Sequence, residues 1–341
     1  MTASIQIPSE NVPTSTKKRK SRVVRVLGRI GIGILILFIL IASFHWIAFA
    51  VEGRELENGN GYGDFVTVNG EQMSYRIDGT GENVIVLLGA MGMASPVLEY
   101  EPLTAELAKS HTVVTLEYFG YGRSSKTSKE RTIENIAAEV HSAISQLGYS
   151  KYTLMGHSVG GLYGLYYANQ YPDELAGFVG LDPTVPQQIA SASPGDGDSA
   201  VSNARFYRAL INVGIGRIWT MLDPSIVVND ARLSSRDRDN VRIMYLHNLM
   251  SHTLVNEEQH FYQNLVATQG MTFPQSVPVL TLRATETETE FPDFALWDQE
   301  LLGGSQFDTV KPWPGGHGTG TWPDPTTTAN DIAAWEARVN S

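Results

Sequence analysis

Residues Gly156-His157-Ser158-Val159-Gly160 set a serine in the pattern G-x-S-x-G, with Gly161 directly behind it. The apolar run Tyr152–Met155 leads into this motif as a strand, and Val159–Gln170 leads out of it in a helical pattern. In a sharp strand-to-helix turn the serine hydroxyl stands clear of the backbone. Side chains two positions to either side would collide there, which requires glycine at 156 and 160. The helix that follows points N–H groups and the positive end of its dipole at charge developing on a substrate oxygen. The chemistry this arrangement serves is nucleophilic attack on an acyl carbonyl.

A serine hydroxyl needs a base at neutral pH, and histidine is the usual one. The chain has eight histidines. His45 lies in an apolar N-terminal run, His111 at the start of a strand and His141 in a helix. His157 should point away from the serine, and His247, His252 and His260 fall in a helical segment. His317, within Gly315-Gly316-His317-Gly318, alone follows the last predicted strand (Phe307–Val310) and precedes the last helix. A carboxylate must then orient the imidazole. Asp182, at the end of the strand Ala176–Leu181 and stiffened by Pro183, is the first candidate. Glu286, in Thr285-Glu286-Thr287-Glu288 after the strand Val277–Leu282, is the alternative.

The surrounding pattern supplies the scaffold. Two short alternating runs, Phe65–Val68 and Gln72–Ile77, meet at Asn69-Gly70, a strong hairpin signal. Strand patterns at Val84–Leu88, Thr112–Leu116, Tyr152–Met155, Ala176–Leu181 and Val277–Leu282 alternate with helical ones at Val97–Lys109, Thr132–Leu147, Val159–Gln170 and Asp331–Val339. The alternation predicts an α/β fold, a mostly parallel twisted sheet covered by helices on both faces. Residues 64–185 and 273–341 form its core. Residues 186–272 break the pattern, with helical stretches at Ala204–Leu222 and Ser234–Leu265, and read as a helical cap inserted over one edge of the sheet. Phe206, Tyr207, Trp219, Met221, Met244, Tyr245 and Met250 would either wall an apolar pocket beneath the cap or pack between its helices.

The N-terminal region has a different character. Seven of the 25 basic residues but only one of the 36 acids lie in residues 1–29, which leaves 18 basic against 35 acidic residues beyond. So acidic a body repels nucleic acid. Ile30–Val51 carries no formal charge over 22 residues, long enough at about 1.5 Å per residue to cross a hydrocarbon core of roughly 30 Å. The basic segment before it would stay cytoplasmic, and residues 52–63 would be a linker to an extracytoplasmic domain. The alternative is a signal peptide cleaved after Ala50, since Ala48-Phe49-Ala50 has the small-x-small form. The absence of cysteine excludes disulfides, thiolate metal sites and a cysteine nucleophile.

From Gly156–Gly160, Tyr118-Phe119-Gly120-Tyr121-Gly122-Arg123-Ser124 and Leu88-Gly89-Ala90-Met91-Gly92, the chain over about residues 64–341 resembles the α/β-hydrolase family. The second segment is similar to that family's G-x-G-x-S loop, with Glu117 where members often carry Asp. The third occupies the place of its His-Gly oxyanion loop but has Gly89-Ala90 instead. The resemblance implies Ser158 as nucleophile, His317 as base in a mobile loop, and the backbone N–H groups of Met91 and Val159 as oxyanion donors. Gly180-Leu181-Asp182-Pro183 resembles the triad-acid segment of pancreatic-type lipases, although family members also place the acid after the later strand, where Glu286 stands. Dehalogenases and epoxide hydrolases of this fold need Asp at position 158. The expected function is a membrane-anchored serine esterase acting on a small or lipid-like acyl substrate, without cofactor or metal. A proline-iminopeptidase-like aminopeptidase, an acyltransferase and a non-catalytic binding protein keeping the fold are the alternatives.

Overall fold

The computed structural model describes residues 22–57, 62–228 and 230–341. Most of the basic tail and residues 58–61 of the expected linker lie outside them. The chain opens with helix α1 (Arg22–Glu57), 36 residues long, of which the apolar stretch is long enough to cross a membrane. The helix does not end at Val51 as expected. Glu52–Glu57 is rich in helix-forming residues, and Glu52 is held by Arg217 through two 2.6 Å bonds.

A hairpin follows, β1 (Asp64–Val68) and β2 (Glu71–Asp78), closed by Asn69 and Gly70, both in the left-handed region. The next elements are β3 (Val84–Leu88), α2 (Pro96–Glu99), α3 (Glu101–Leu107), β4 (Thr112–Glu117), α4 (Ile133–Gln146), β5 (Tyr152–His157), α5 (Val159–Gln170) and β6 (Leu175–Leu181). The single helix expected over Val97–Lys109 is two, because Pro102 has no N–H to continue the first. Four helices then depart from the sheet: α6 (Asp196–Asn212), α7 (Ile215–Leu222), α8 (Ser235–Asn248) and α9 (His252–Ala267). Gly214, at φ 86°, separates the first pair. Ser251, whose hydroxyl accepts from the Leu254 N–H, starts the last. The chain returns through β7 (Val279–Ala284), α10 (Thr285–Glu290), α11 (Phe294–Glu300), β8 (Thr309–Trp313) and α12 (Pro325–Val339). β8 ends later than expected and contains Pro312, which an edge strand tolerates.

The eight strands form one sheet in the order β1-β2-β4-β3-β5-β6-β7-β8, antiparallel at β1/β2 and β2/β4 and parallel elsewhere. The middle strands are buried at all but one position in β3 and one in β6, as in a sheet covered on both faces. From β3 the chain moves to β4 on one side and then to β5 on the other. That reversal opens a crevice at the carboxyl ends of β3 and β5, where α/β sheets bind ligands.

Candidate active site

Ser158 stands at this crevice, between β5 and α5, with φ 53° and ψ −124°. A side chain rarely adopts this conformation, and the packing around it enforces it. A Cβ on Gly156 would run into the Gly160 carbonyl, and one on Gly160 would meet the Leu88 oxygen at 2.9 Å. The turn is fixed further by the Ser158 N–H donating to Leu181 O at 3.2 Å and the Thr184 N–H donating to Ser158 O at 2.7 Å.

His317 comes from the loop after β8 and Asp182 from the end of β6. The Ser158 hydroxyl lies 2.9 Å from His317 Nε2, and His317 Nδ1 lies 2.6 Å from Asp182 Oδ2. A carboxylate only accepts, so Nδ1 carries the proton and Nε2 is left to receive one from the serine. Asp182 is buried and has two further sets of donors. Its Oδ1 accepts from Arg283 Nη1 at 2.8 Å and the Ala284 N–H at 3.1 Å, and its Oδ2 also accepts from the Thr287 hydroxyl at 2.7 Å. Burial works against its charge. The hydrogen bond from His317, the Arg283 guanidinium and Thr287 outweigh that and hold the carboxyl below its ordinary range. Arg283 is itself buried and balanced by two bonds to Asp298, at 2.8 and 2.7 Å.

The structure does not bring Glu286 to His317. It is exposed on α10, and its backbone N–H donates to Gly315 O at 3.1 Å. Its neighbour Thr287 faces Asp182 instead. His157 points away from the serine, as its place in the turn required, and has a structural task. Its Nε2–H donates to the His317 carbonyl at 2.9 Å, so its Nδ1 accepts from the Tyr100 hydroxyl at 2.8 Å. Burial and the neighbouring His317 push its pKa down to about 3, so it stays neutral. Trp322 Nε1 donates to the same His317 carbonyl at 3.2 Å. Both bonds go to the backbone of this residue, in the loop expected to be mobile.

A cleft of about 350 Å³ joins Ser158 and His317 to Met91, to the turn Ser225–Val228 and to the carboxylates of Glu99 and Asp230. In the loop after β3, the Ala90 N–H points to Met93 Sδ at 3.3 Å and the Gly92 N–H to the Tyr121 hydroxyl at 3.3 Å. The Met91 amide lies between these two anchored neighbours. Val159 is the first residue of α5, where an N–H has no carbonyl partner within the helix. Glu117 does not face the cleft chemistry. It accepts from the Ser95 hydroxyl and, at 2.9 Å, from the Arg123 N–H, bracing the loop that resembles G-x-G-x-S.

Beneath the cap the expected aromatic wall is absent. Phe206, Tyr207, Trp219 and Met221 are exposed, while Met244 is buried against Ala94, Leu98 and Val241, with Tyr245 packed beside it. Met250 lines a separate cavity of about 670 Å³ between α6, α9 and the loop at Thr127. Helical spacing identifies an apolar face but not what that face meets. Among the described residues, no group of three or more His, Asp or Glu side chains could hold a metal ion. The residues that sequence reasoning missed are Arg283, Thr287, Tyr100 and Trp322. None belongs to a motif, and each acts by packing or hydrogen-bonding to a residue that does.

A family model described as alpha/beta hydrolase fold matches residues 83–298. The chain is similar to the uncharacterized protein YbdG of Bacillus subtilis, 23% identical over 274 residues that cover 80% of this chain and 83% of that one. It is 31% identical over 119 residues to the proline iminopeptidase PfmaB of Pestalotiopsis fici, a match spanning 34% of this chain and 41% of the relative. Among solved structures it resembles the epoxide hydrolase VrEH1 from Vigna radiata, with a TM-score of 0.59 and 17% identity over 81% of this chain and 98% of the other. It resembles Cfl2 from Burkholderia cenocepacia equally, with a TM-score of 0.59 and 16% identity over 80% and 94%. At these identities the structural likeness is one of fold.

Proposed function

This chain belongs to the α/β-hydrolase family, and from that premise we propose that it is a membrane-anchored serine hydrolase cleaving carboxylic esters through an acyl-enzyme on Ser158. The observation that carries the reading is the hydrogen-bonded chain from Ser158 through His317 to Asp182, at 2.9 and 2.6 Å. The fold's likeness to an epoxide hydrolase does not bear on the chemistry, because the position that would need Asp holds Ser158.

In this reading Ser158 Oγ attacks the acyl carbon as its proton passes to His317 Nε2. The carbonyl oxygen becomes an oxyanion facing the N–H groups of Met91 and Val159. Collapse expels the alcohol, which leaves with the proton held on His317. A water then gives a proton to the same nitrogen, attacks the acyl-enzyme and releases the carboxylic acid, and Ser158 regains its proton. Asp182 keeps Nδ1 protonated throughout and stabilises the imidazolium between steps. The apolar side chains of Met91, Met93, Ile226, Val227 and Val228 along the cleft suit an acyl chain.

An aminopeptidase would need a free carboxylate in the cleft for the substrate's ammonium. Asp230 is already paired with Arg232 at 2.7 Å, and Glu99 Oε1 is occupied by the Ala94 and Ser95 N–H groups. An ester therefore fits better. The apolar stretch of α1 would be the anchor, with the basic segment cytoplasmic and the hydrolase domain outside. The test is labelling with a fluorophosphonate probe and a panel of p-nitrophenyl esters of increasing chain length. Ser158→Ala should lose both labelling and turnover while its melting temperature stays near that of the parent. Labelling retained in that variant would remove Ser158 from the mechanism.

A further inference from the structure

Helix α7 is built inside out. It buries Gly216, Arg217 and Thr220 and exposes Trp219, Met221 and Leu222, the last at 79%. A helix on a water-soluble domain turns its apolar stripe inward. The reverse is stable only where the outer surroundings are apolar as well.

The docking of α1 says what those surroundings are. Arg217, on the inner face of α7, holds Glu52 of α1. A Cβ on Gly214 would lie 2.9 Å from Ile41, and Phe49 stacks on His247 of α8 at 3.7 Å. The cap is thus fastened to α1 from Ile41 onward. Of the uncharged stretch from Ile30 on, only Ile30–Leu40 is uncovered all round, 11 residues that rise roughly 16 Å, about half of a 30 Å hydrocarbon core. Beyond Ile41, α1 still exposes Phe44, Trp46, Ile47 and Val51 on the side away from the cap, and the first charged residue clear of the cap is Arg54. To cover those side chains, the leaflet must rise along α1 to near Val51, which brings it level with α7.

The turn after α7 continues this surface into the cleft. Ile226 is exposed outside and lines the cleft that holds Ser158 and His317. Val227 and Val228 pack against the buried cluster of Ala94, Leu98, Val241 and Met244, as does Leu56 at the end of α1. We propose that α7 and the turn at 224–226 lie in the outer leaflet beside α1, and that the Ser158 cleft opens onto that leaflet, drawing its acyl substrate sideways from the membrane. The substrate class, an ester of a membrane-resident lipid, rests on the serine-hydrolase reading above; the position of α7 does not.

The absence of cysteine makes a direct test clean. In the full chain reconstituted in phosphatidylcholine vesicles, Leu222→Cys carrying an NBD label should show blue-shifted emission. It should be quenched by brominated acyl chains and shielded from iodide. The same label at Gln146→Cys, exposed on α4 of the hydrolase core, should behave in the opposite way. A Leu222 label that iodide quenches and brominated lipid does not would overturn the proposal. The catalytic arm uses the double variant Trp219→Glu/Leu222→Glu. It should lose about tenfold in hydrolysis of a long-chain ester carried in the vesicle, since leaflet binding scales with buried apolar area. A soluble short-chain ester should be hydrolysed as before. Equal losses on both substrates would refute lateral access. A protein with its Leu222 label in the leaflet but no esterase activity would sink the functional reading and leave the membrane surface standing.

Discussion

Replacing Asp182 by Asn is the sharpest probe of the mechanism, because the structure dictates which way the amide must face. Oδ1 of Asp182 accepts from Arg283 and from the Ala284 N–H, both fixed donors. An asparagine must keep its oxygen there, which turns its NH2 toward His317 Nδ1 and the Thr287 hydroxyl. An NH2 cannot accept the imidazole proton. His317 would therefore hold its proton on Nε2, facing Ser158, and would no longer act as a base. A tautomer error of this kind in a protease triad costs about 10⁴-fold in turnover, or about 5 kcal/mol of transition-state stabilisation. Here a loss of at least about 10²-fold in kcat is expected, with KM little changed. Because the amide oxygen keeps the Arg283 contact, the fold should survive, and a thermal melt separates a dead enzyme from an unfolded one. The assay is steady-state hydrolysis of a p-nitrophenyl ester. Glu286→Gln serves as the comparison and is expected to cost less than about tenfold, since Glu286 is exposed and bonds His317 nowhere. The reverse ranking would refute the argument and move the acid to α10. Two mild effects would point to Glu288 or to a Ser–His dyad.

Two further outcomes follow from other parts of the molecule. Glu99 is raised from 4.5 to about 7, chiefly by burial, against the Ser95 and Ala94 N–H bonds and with Glu117 adding to the rise. Between those values the unfolded chain has given up a proton that the folded one keeps, so stability falls as pH rises from about 4.5 to about 7, by at most about 3 kcal/mol. Glu99→Gln should therefore melt several degrees above the parent at pH 8 and close to it at pH 5; an equal difference at both would show that the carboxyl does not titrate as described. Because His45 and Phe49, both before Val51, contact Arg217 and His247 of the cap, the purified protein should retain the segment before Val51. Intact-mass measurement checks this, and a chain starting at Val51 would show a cleaved signal peptide.

The scaffold was legible because each strand and helix of the core carries its own period. Val84–Leu88 and Tyr152–Met155 read as buried parallel strands, and the structure makes them the middle of the sheet. The glycines of the serine turn could be read for a similar reason, since a positive φ and a close backbone approach leave few alternatives to glycine. Boundaries were less legible where a single residue decides them against the wider pattern. Pro102 splits one expected helix and Gly214 another. α10 was hidden because Thr285–Glu290 alternates threonine with glutamate and has no apolar face at all.

The choice between Asp182 and Glu286 shows where sequence reasoning reaches its limit. Both follow a parallel strand, both precede His317 in the chain, and either side chain is long enough in principle. What separates them is Arg283, which no motif marks. Its guanidinium, fixed by Asp298, lies against Asp182 Oδ1 and Pro183 O, so a buried carboxylate at 182 has the countercharge it needs to remain ionised. Position 286 faces water and gains nothing from that pair. The same reasoning applies to α7. Of its residues, Trp219 and Met221 were expected either to wall a pocket or to pack between cap helices, and both are exposed. The pairing of Arg217 with Glu52, 165 positions away along the chain, holds Arg217 inward and leaves Trp219, Met221 and Leu222 outside. In both cases a buried arginine decides the outcome through a partner that is remote in sequence. An ion pair of that kind leaves no periodic trace from which it could have been read.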